Sequence, residues 1–347
     1  MNSMQRCRAT VEGAPTDRRF AALTLSLYGA RLTGRPLREH YTDPQAYVEG
    51  QIAVREIFQP DLLLSPFAFA MEAEAFGAEV RYHQKQPPAV CSPAIASAEQ
   101  IAGLSAPDVD GDPRLGYVRE AVRSLAGRYA EEVPIAATVV GPLDLPALIL
   151  GIDTWLETLL FDKEAVSRML DVSTCFFVRW ANALLADGAT MIVSSAVFSN
   201  PGVITRKILD ESGIPALRQA FGRIDGPLLL HHGGAMLGPF LQPLAGLPNV
   251  IGFGLDHRDD PADARRRAGA GKVLLTGIHG PSLDRSSPET IHGEYVRILE
   301  AGRDDRHLGL TSTAADVPLA TPPENIHAVL RAADTFAEKD RVAGRAS

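Results

Sequence analysis

Four of the nine histidines in this 347-residue chain sit just after short apolar runs: His231-His232, Asp256-His257 and His279-Gly280. Imidazoles so placed can ligate a metal, move a proton or hold an anion. Adjacent strand residues point to opposite faces, so only one of His231 and His232 can face inward. His231 is expected to do so, with His232 turned toward a helix or loop. Asp256 and Asp316, each at the end of another apolar run, are the candidate carboxylates, with capping or loop hydrogen bonding as their alternative role. The candidate catalytic set is therefore His231, Asp256, His279 and Asp316. His40, His83, His292, His307 and His327 fall in helix or loop patterns and are assigned structural roles. Glu72 and Glu79 share a helix face, with Glu74 offset, and read as a solvated face, although one of them could reach into a nearby mouth.

These residues need a scaffold that brings strand ends together. Eight apolar runs bounded by Gly, Pro or Asp read as strands buried on both faces: Phe20–Tyr28, Asp61–Pro66, Pro134–Gly141, Met191–Ser195, Pro227–His232, Val250–Asp256, Lys272–Ile278 and His307–Thr313. Amphipathic stretches lie between them. Asp43 caps Pro44–Phe58, Asp260 opens a helix that ends at Gly269, and Ser287 caps Pro288–Ala301. Further helices are expected over Trp155–Leu160, Lys163–Asp187 and, with Thr321 as cap, Pro322–Phe336. Strand–helix alternation repeated eight times points to one α/β domain, a (β/α)8 TIM barrel whose site lies at the carboxyl ends of its strands. An open doubly wound sheet would carry a Gly-rich fingerprint after the first strand, and none is present. The barrel is placed over residues 17–337, with 1–16 a flexible lead-in and 338–347 a tail. The Pro-rich insertion Tyr82–Gly127 is expected to cover one mouth.

The net charge of -8 and the absence of a basic stripe argue against a nucleic-acid partner. Arg265, Arg266 and Arg267 lie among Asp259, Asp260 and Asp263, the pattern of a solvated helix face. No apolar run reaches the ~18 residues of a membrane span. Cys7, Cys91 and Cys175 are too few and too far apart for a disulfide framework, so a cytoplasmic setting is expected.

Leu27-Tyr28-Gly29-Ala30-Arg31-Leu32-Thr33-Gly34, Tyr41-Thr42-Asp43-Pro44, Pro66-Phe67, the stretch from Glu72 to Val80, Gly141-Pro142 and His231 together resemble the uroporphyrinogen decarboxylase superfamily. The likeness spans residues 17–336 and is nearest the branch of cobalamin-dependent methyltransferases of the methylcobalamin:coenzyme M type. It implies a (β/α)8 barrel, a small-molecule acceptor and a corrinoid brought by a partner protein. In that branch zinc is held by a His-x-Cys pair and a second Cys, and it lowers the acceptor thiol's pKa. Here His231 matches the histidine, Gly233 stands at the first cysteine, and Ala314 or Ala315 at the second. Any metal would then need nitrogen and oxygen donors, from His231 and His279 with Asp256 or Asp316, a set suited to zinc or iron. The decarboxylase reaction uses an Asp where Ala68 stands; Arg31 and Arg35 read as a charged face, and the family's tyrosine and C-terminal histidine are missing.

Three functions follow as expectations. The first is one-carbon transfer between a corrinoid carrier and a small acceptor. The second is decarboxylation of a small carboxylated substrate, and the third a non-catalytic barrel that binds a small molecule. A homodimer is left open.

Overall fold

The computed structural model describes residues 1–129 and 131–346, with side chains through residue 338. All eight expected runs contain a strand of one parallel sheet. In chain order they are β1 (Ala21–Ala22), β2 (Leu63–Leu64), β5 (Ile135–Val140), β6 (Met191–Ser195), β7 (Leu228–His231), β8 (Val250–Gly254), β9 (Val273–Thr276) and β10 (Leu308–Thr311); β3 (Glu79–Arg81) and β4 (Ala89–Ser92) form a separate antiparallel hairpin. The sheet runs β1-β10-β9-β8-β7-β6-β5-β2. Its two ends meet: the Asp61 amide donates to the Ala21 carbonyl at 2.9 Å, and the Asp61 carboxylate accepts from the Ala21 amide at 2.9 Å. One residue thus stitches the seam of a nearly closed (β/α)8 barrel.

The first strand is far shorter than its apolar run. Beyond Ala22 the backbone finds side-chain partners instead of a ladder. The Thr24 amide donates to Ser312 Oγ, and the Ser26 carbonyl receives His40 Nε2 and Gln51 Nε2. Tyr28 then opens the helix Tyr28–Thr33.

Capping chemistry fixes the outer helices. Asp43 Oδ1 accepts from the Gln45 amide ahead of Pro44–Phe58, Asp260 caps Pro261–Ala268, and Ser287 caps Pro288–Ala301. Their apolar faces pack on the outward side chains of the strands in one large core, while Phe20, Ala22, Leu64, Ala136, Met191 and Leu229 belong to a smaller cluster inside the barrel. The insertion folds as the β3–β4 hairpin, a short turn of helix at Ala98–Gly103 and the helix Pro113–Tyr129; none of its residues lines the barrel interior.

The expected flexible lead-in, 1–16, is corrected by the structure. Ser3–Glu12 is a helix with an Asn2–Gln5 capping box and a left-handed Gly13 C-cap. It closes the amino-terminal end of the barrel: Arg6 and Arg18 both pair with the buried Asp61, and Ser3 Oγ donates to Asp61 Oδ1. Cys7 and Val11 face the barrel interior. Polar side chains hid this segment from a periodicity reading because half of its buried residues, Ser3, Arg6 and Thr10, are polar. The last helix is Pro323–Ala346, and the expected 338–347 tail lies almost wholly outside the residues whose side chains are described. No helix among the described residues is long and apolar enough to cross a membrane.

Candidate active site

Strand register decides which polar residues meet at the barrel mouth. Met191, Val193, Leu229 and Leu275 face the axis, and Ser195 and His231 continue that parity at the ends of β6 and β7, where they are register partners. His231 therefore lies inward. Its ring lies beside Gly254 of β8, where an added Cβ would sit 2.9 Å from His231 Cδ2. His231 Nδ1 accepts from the Gly233 amide at 3.2 Å, so the ring proton resides on Nε2, an N–H donor toward the cavity. Burial, followed by the neighbouring His232, pushes the His231 pKa down to about 3. The side chain is a neutral donor at any physiological pH.

His232 is wholly buried and turned away, toward Asp256 and the loop after β10. The Ala314 amide donates to His232 Nε2 at 2.9 Å and the Gly234 amide to its Nδ1 at 3.0 Å, with Asp256 Oδ2 3.2 Å from the same Nδ1. Burial lowers its pKa to about 4, against the opposing pull of Asp256. Asp256 also receives Arg258 Nε at 2.6 Å, and His257 Nδ1 lies 3.2 Å from its Oδ1. Burial alone would raise its pKa, but the Arg258 hydrogen bonds outweigh that and lower it. With its oxygens so occupied, Asp256 orients His232 and not a substrate.

Asp316 is different. Its Oδ1 accepts from the Leu27 amide at 3.3 Å, while Oδ2 is buried without a partner, as is the hydroxyl of Tyr41. Burial raises the Asp316 pKa to about 7. Two acids outside the expected set share this character. Glu72 receives the Val140 amide on both oxygens at 3.1 Å, and burial lifts it to about 8; Asp144, bound by the Ser199 hydroxyl at 2.6 Å, rises to about 6. Glu72 is thus not on a solvated face, whereas Glu79 is exposed and Glu74 binds Tyr82. Arg35 pairs with Glu39 and Glu49, but Arg31 is not part of a charged face: it clamps the Leu319 and Thr321 carbonyls.

His279 lines a different cavity from the one that His231 lines. Its Nδ1 meets Ser282 Oγ at 2.7 Å, its ring packs on His257, and it lines a separate groove of ≈ 640 Å³ with Glu294 and Arg297. The expected metal pair His231 and His279 is split between two cavities, and no group of three or more His, Cys, Asp or Glu among the described residues has metal-site geometry. The thiolate arrangement fits no better. Gly233 has φ +63°, and a Cβ there would stand 2.5 Å from the Ala196 carbonyl; Ala314 has φ +76° and its amide is engaged by His232. Gly233 cannot take a cysteine without moving backbone, and Ala314 and Ala315, the two candidates for the second position, supply no sulfur. Ser195 and Gly254 were missed because only register reveals them; the alternating Gly252-Phe253-Gly254 was the available signal.

Among proteins of known sequence, the chain is similar to methylcobamide:CoM methyltransferase MtbA of Methanosarcina acetivorans (25% identity over 78% of both chains) and MtaA of Methanosarcina barkeri (22%, covering 95% of this chain and 97% of the relative). It is likewise similar to the uroporphyrinogen decarboxylase of Serratia proteamaculans (28%, covering 75% and 74%). A solved methyltransferase from Methanosarcina mazei superposes with a TM-score of 0.87 at 20% identity, covering 97% of this chain and 99% of that one, and confirms the fold. The family described as uroporphyrinogen decarboxylase (URO-D) matches residues 2–336. With that match over nearly its whole length, the chain belongs to the uroporphyrinogen decarboxylase family.

Proposed function

We propose that this protein is a methyltransferase-branch enzyme that moves a methyl or other one-carbon group from a corrinoid, held by a separate carrier protein, to a small acceptor. The observation that carries this reading is the end-to-end similarity to a methylcobamide:CoM methyltransferase, together with a histidine, His231, lining the barrel axis. In such a transfer the acceptor–carbon bond would form as the cobalt–carbon bond breaks, that bond's electron pair staying with the corrinoid and the acceptor's proton passing to solvent. His231 Nε2–H binds and orients the acceptor. Asp256 is a positioning residue acting through His232, and fixed dipoles of a closed mouth stabilise developing charge. No step is assigned to zinc, since the donors do not fit it.

A second reading, decarboxylation of a small carboxylated substrate, is favoured by one feature. Asp316 holds a proton near neutral pH with a free oxygen, the state of an acid that protonates the carbon left after CO2 departs. Against it, Ala68 is a buried apolar residue where the decarboxylase reaction uses an Asp.

The test is loss of the cobalt–carbon absorbance of methylcobalamin, free or on a carrier protein, with thiol, amine and alcohol acceptors. Acceptor-dependent loss is expected, slowed about 100-fold or more in His231→Ala, comparable to removing an oriented donor. CO2 release from a carboxylated substrate, with no methyl loss for any acceptor, would establish the second reading instead.

A further inference from the structure

Most (β/α)8 barrels are filled along the axis by layers of bulky side chains. Here the axis below His231 is hollow. Leu62, Leu64, Leu229 and Leu275 face inward and keep 5–7% exposure, while Leu63, Leu228 and Leu274, which face the helices on the same strands, have 0–1%. Register supplies the reason. Gly252 and Gly254 stand level with the inward Leu229 and His231, and Gly309 stands level with Leu275, so β8 and β10 send no side chain into those layers. The resulting cavity of ≈ 60 Å³ runs from Cys7 and Val11 of the N-terminal helix up to His231 and Thr311. At ~10–15 Å³ per water-sized group, that is room for about four to six such groups.

The walls are chemically one-sided. Of the three threonines in the lining, Thr10 Oγ1 donates to the Arg6 carbonyl and Thr311 Oγ1 to the Ser312 carbonyl, while Thr24 adds a third hydroxyl to the wall. Burial raises the Cys7 thiol to about 12, so no anion forms at the floor. Apart from Thr24, Phe20 and His231 the remaining walls are aliphatic or glycine, with the Met191 thioether, and a mostly apolar cavity of this kind stays dry or takes apolar guests. At the top stands His231 Nε2–H, with the Ser195 hydroxyl, buried and without a hydrogen-bond partner among the described residues, level with it on β6.

We infer that the barrel axis is a binding site for the short alkyl portion of an uncharged small molecule, whose oxygen or nitrogen accepts from His231 while its carbon chain points down toward Cys7. This site does not depend on which reaction the mouth performs. A charged tail is excluded by walls that offer it no counter-ion or water. Chain length is set by the floor, the N-terminal helix.

The test uses the full chain, xenon-pressurised crystals and NMR titration with unbranched primary alcohols from methanol to hexanol. Xenon is expected between Leu62, Leu229 and Leu275. Alcohol affinity is expected to rise by up to about four-fold per methylene and to stop rising once the cavity is full. Ala22→Leu and Val193→Leu fill it from below and above and should each abolish the chain-length dependence. No xenon on the axis, or affinity independent of chain length in the wild type, overturns the inference. So does unchanged binding in both folded variants. The wild-type measurements decide the matter even where a variant fails to fold.

Discussion

Glu72 carries a carboxyl group into an enclosed site where the Val140 amide donates to both its oxygens and the Trp180 indole lies beside it. Burial raises its pKa from 4.5 to about 8. The folded protein therefore holds a proton on Glu72 that the unfolded chain has already released, and the stability tied to that proton is complete below pH 4.5 and lost as pH rises through 8. Glu72→Gln keeps an acceptor for Val140 and removes the titration. The variant's melting temperature, relative to wild type, should climb between pH 5 and pH 8.5, by an amount equivalent to roughly 2 kcal/mol or more. A difference flat with pH would mean that Glu72 is ionised in the fold. The histidines act in the opposite direction. His231 and His232 are depressed below 6.5, so their contribution is complete above that value and lost as pH falls through about 4 and 3. Burial of this kind is hard to see in a sequence. Glu72-Ala73-Glu74 has the spacing of a wet helix face, and only the three-dimensional approach of Val140 separates Glu72 from Glu74.

At the scale of elements, the strands were legible and their limits less so. Runs such as Leu228-Leu229-Leu230 are apolar on both faces because helices cover one side and the axis the other. Caps at Asp43, Asp260 and Ser287 could be read because a side-chain oxygen before a proline has a local purpose. The N-terminal helix was illegible for the reason that makes it important: its contacts are charges satisfied by partners distant in sequence. Asp61 joins Arg6 of that helix, Arg18 and the β1 amide of Ala21 in one buried cluster. Asp61→Ala leaves two cations without their buried partner and opens the barrel seam. It should destabilise the fold by about 3 kcal/mol or more in urea unfolding. A loss below about 1 kcal/mol would show that the helix is held by its apolar face alone.

Over the whole molecule, fold and chemistry separate. The barrel is shared with a solved methyltransferase at 20% identity, and one scaffold can host different reactions according to the residues at its mouth. By the resemblance, His231 stands at the family histidine's position and Gly233 and Ala314 or Ala315 at those of the cysteines, while His279 lines a groove of its own. Sequence alone located the strand ends and the missing thiols. It could not pair His231 with Ser195 and Gly254, because that grouping exists only once register is fixed. The claim at the centre is that an oriented neutral imidazole, without a thiolate zinc site, serves one-carbon transfer here. It is tested most directly by the rate of acceptor-dependent methyl loss from a methylated corrinoid before and after exhaustive chelation of the enzyme. The rate should be unchanged within a factor of about two, a difference under 0.5 kcal/mol in barrier. A collapse on chelation, restored by added zinc, would contradict it.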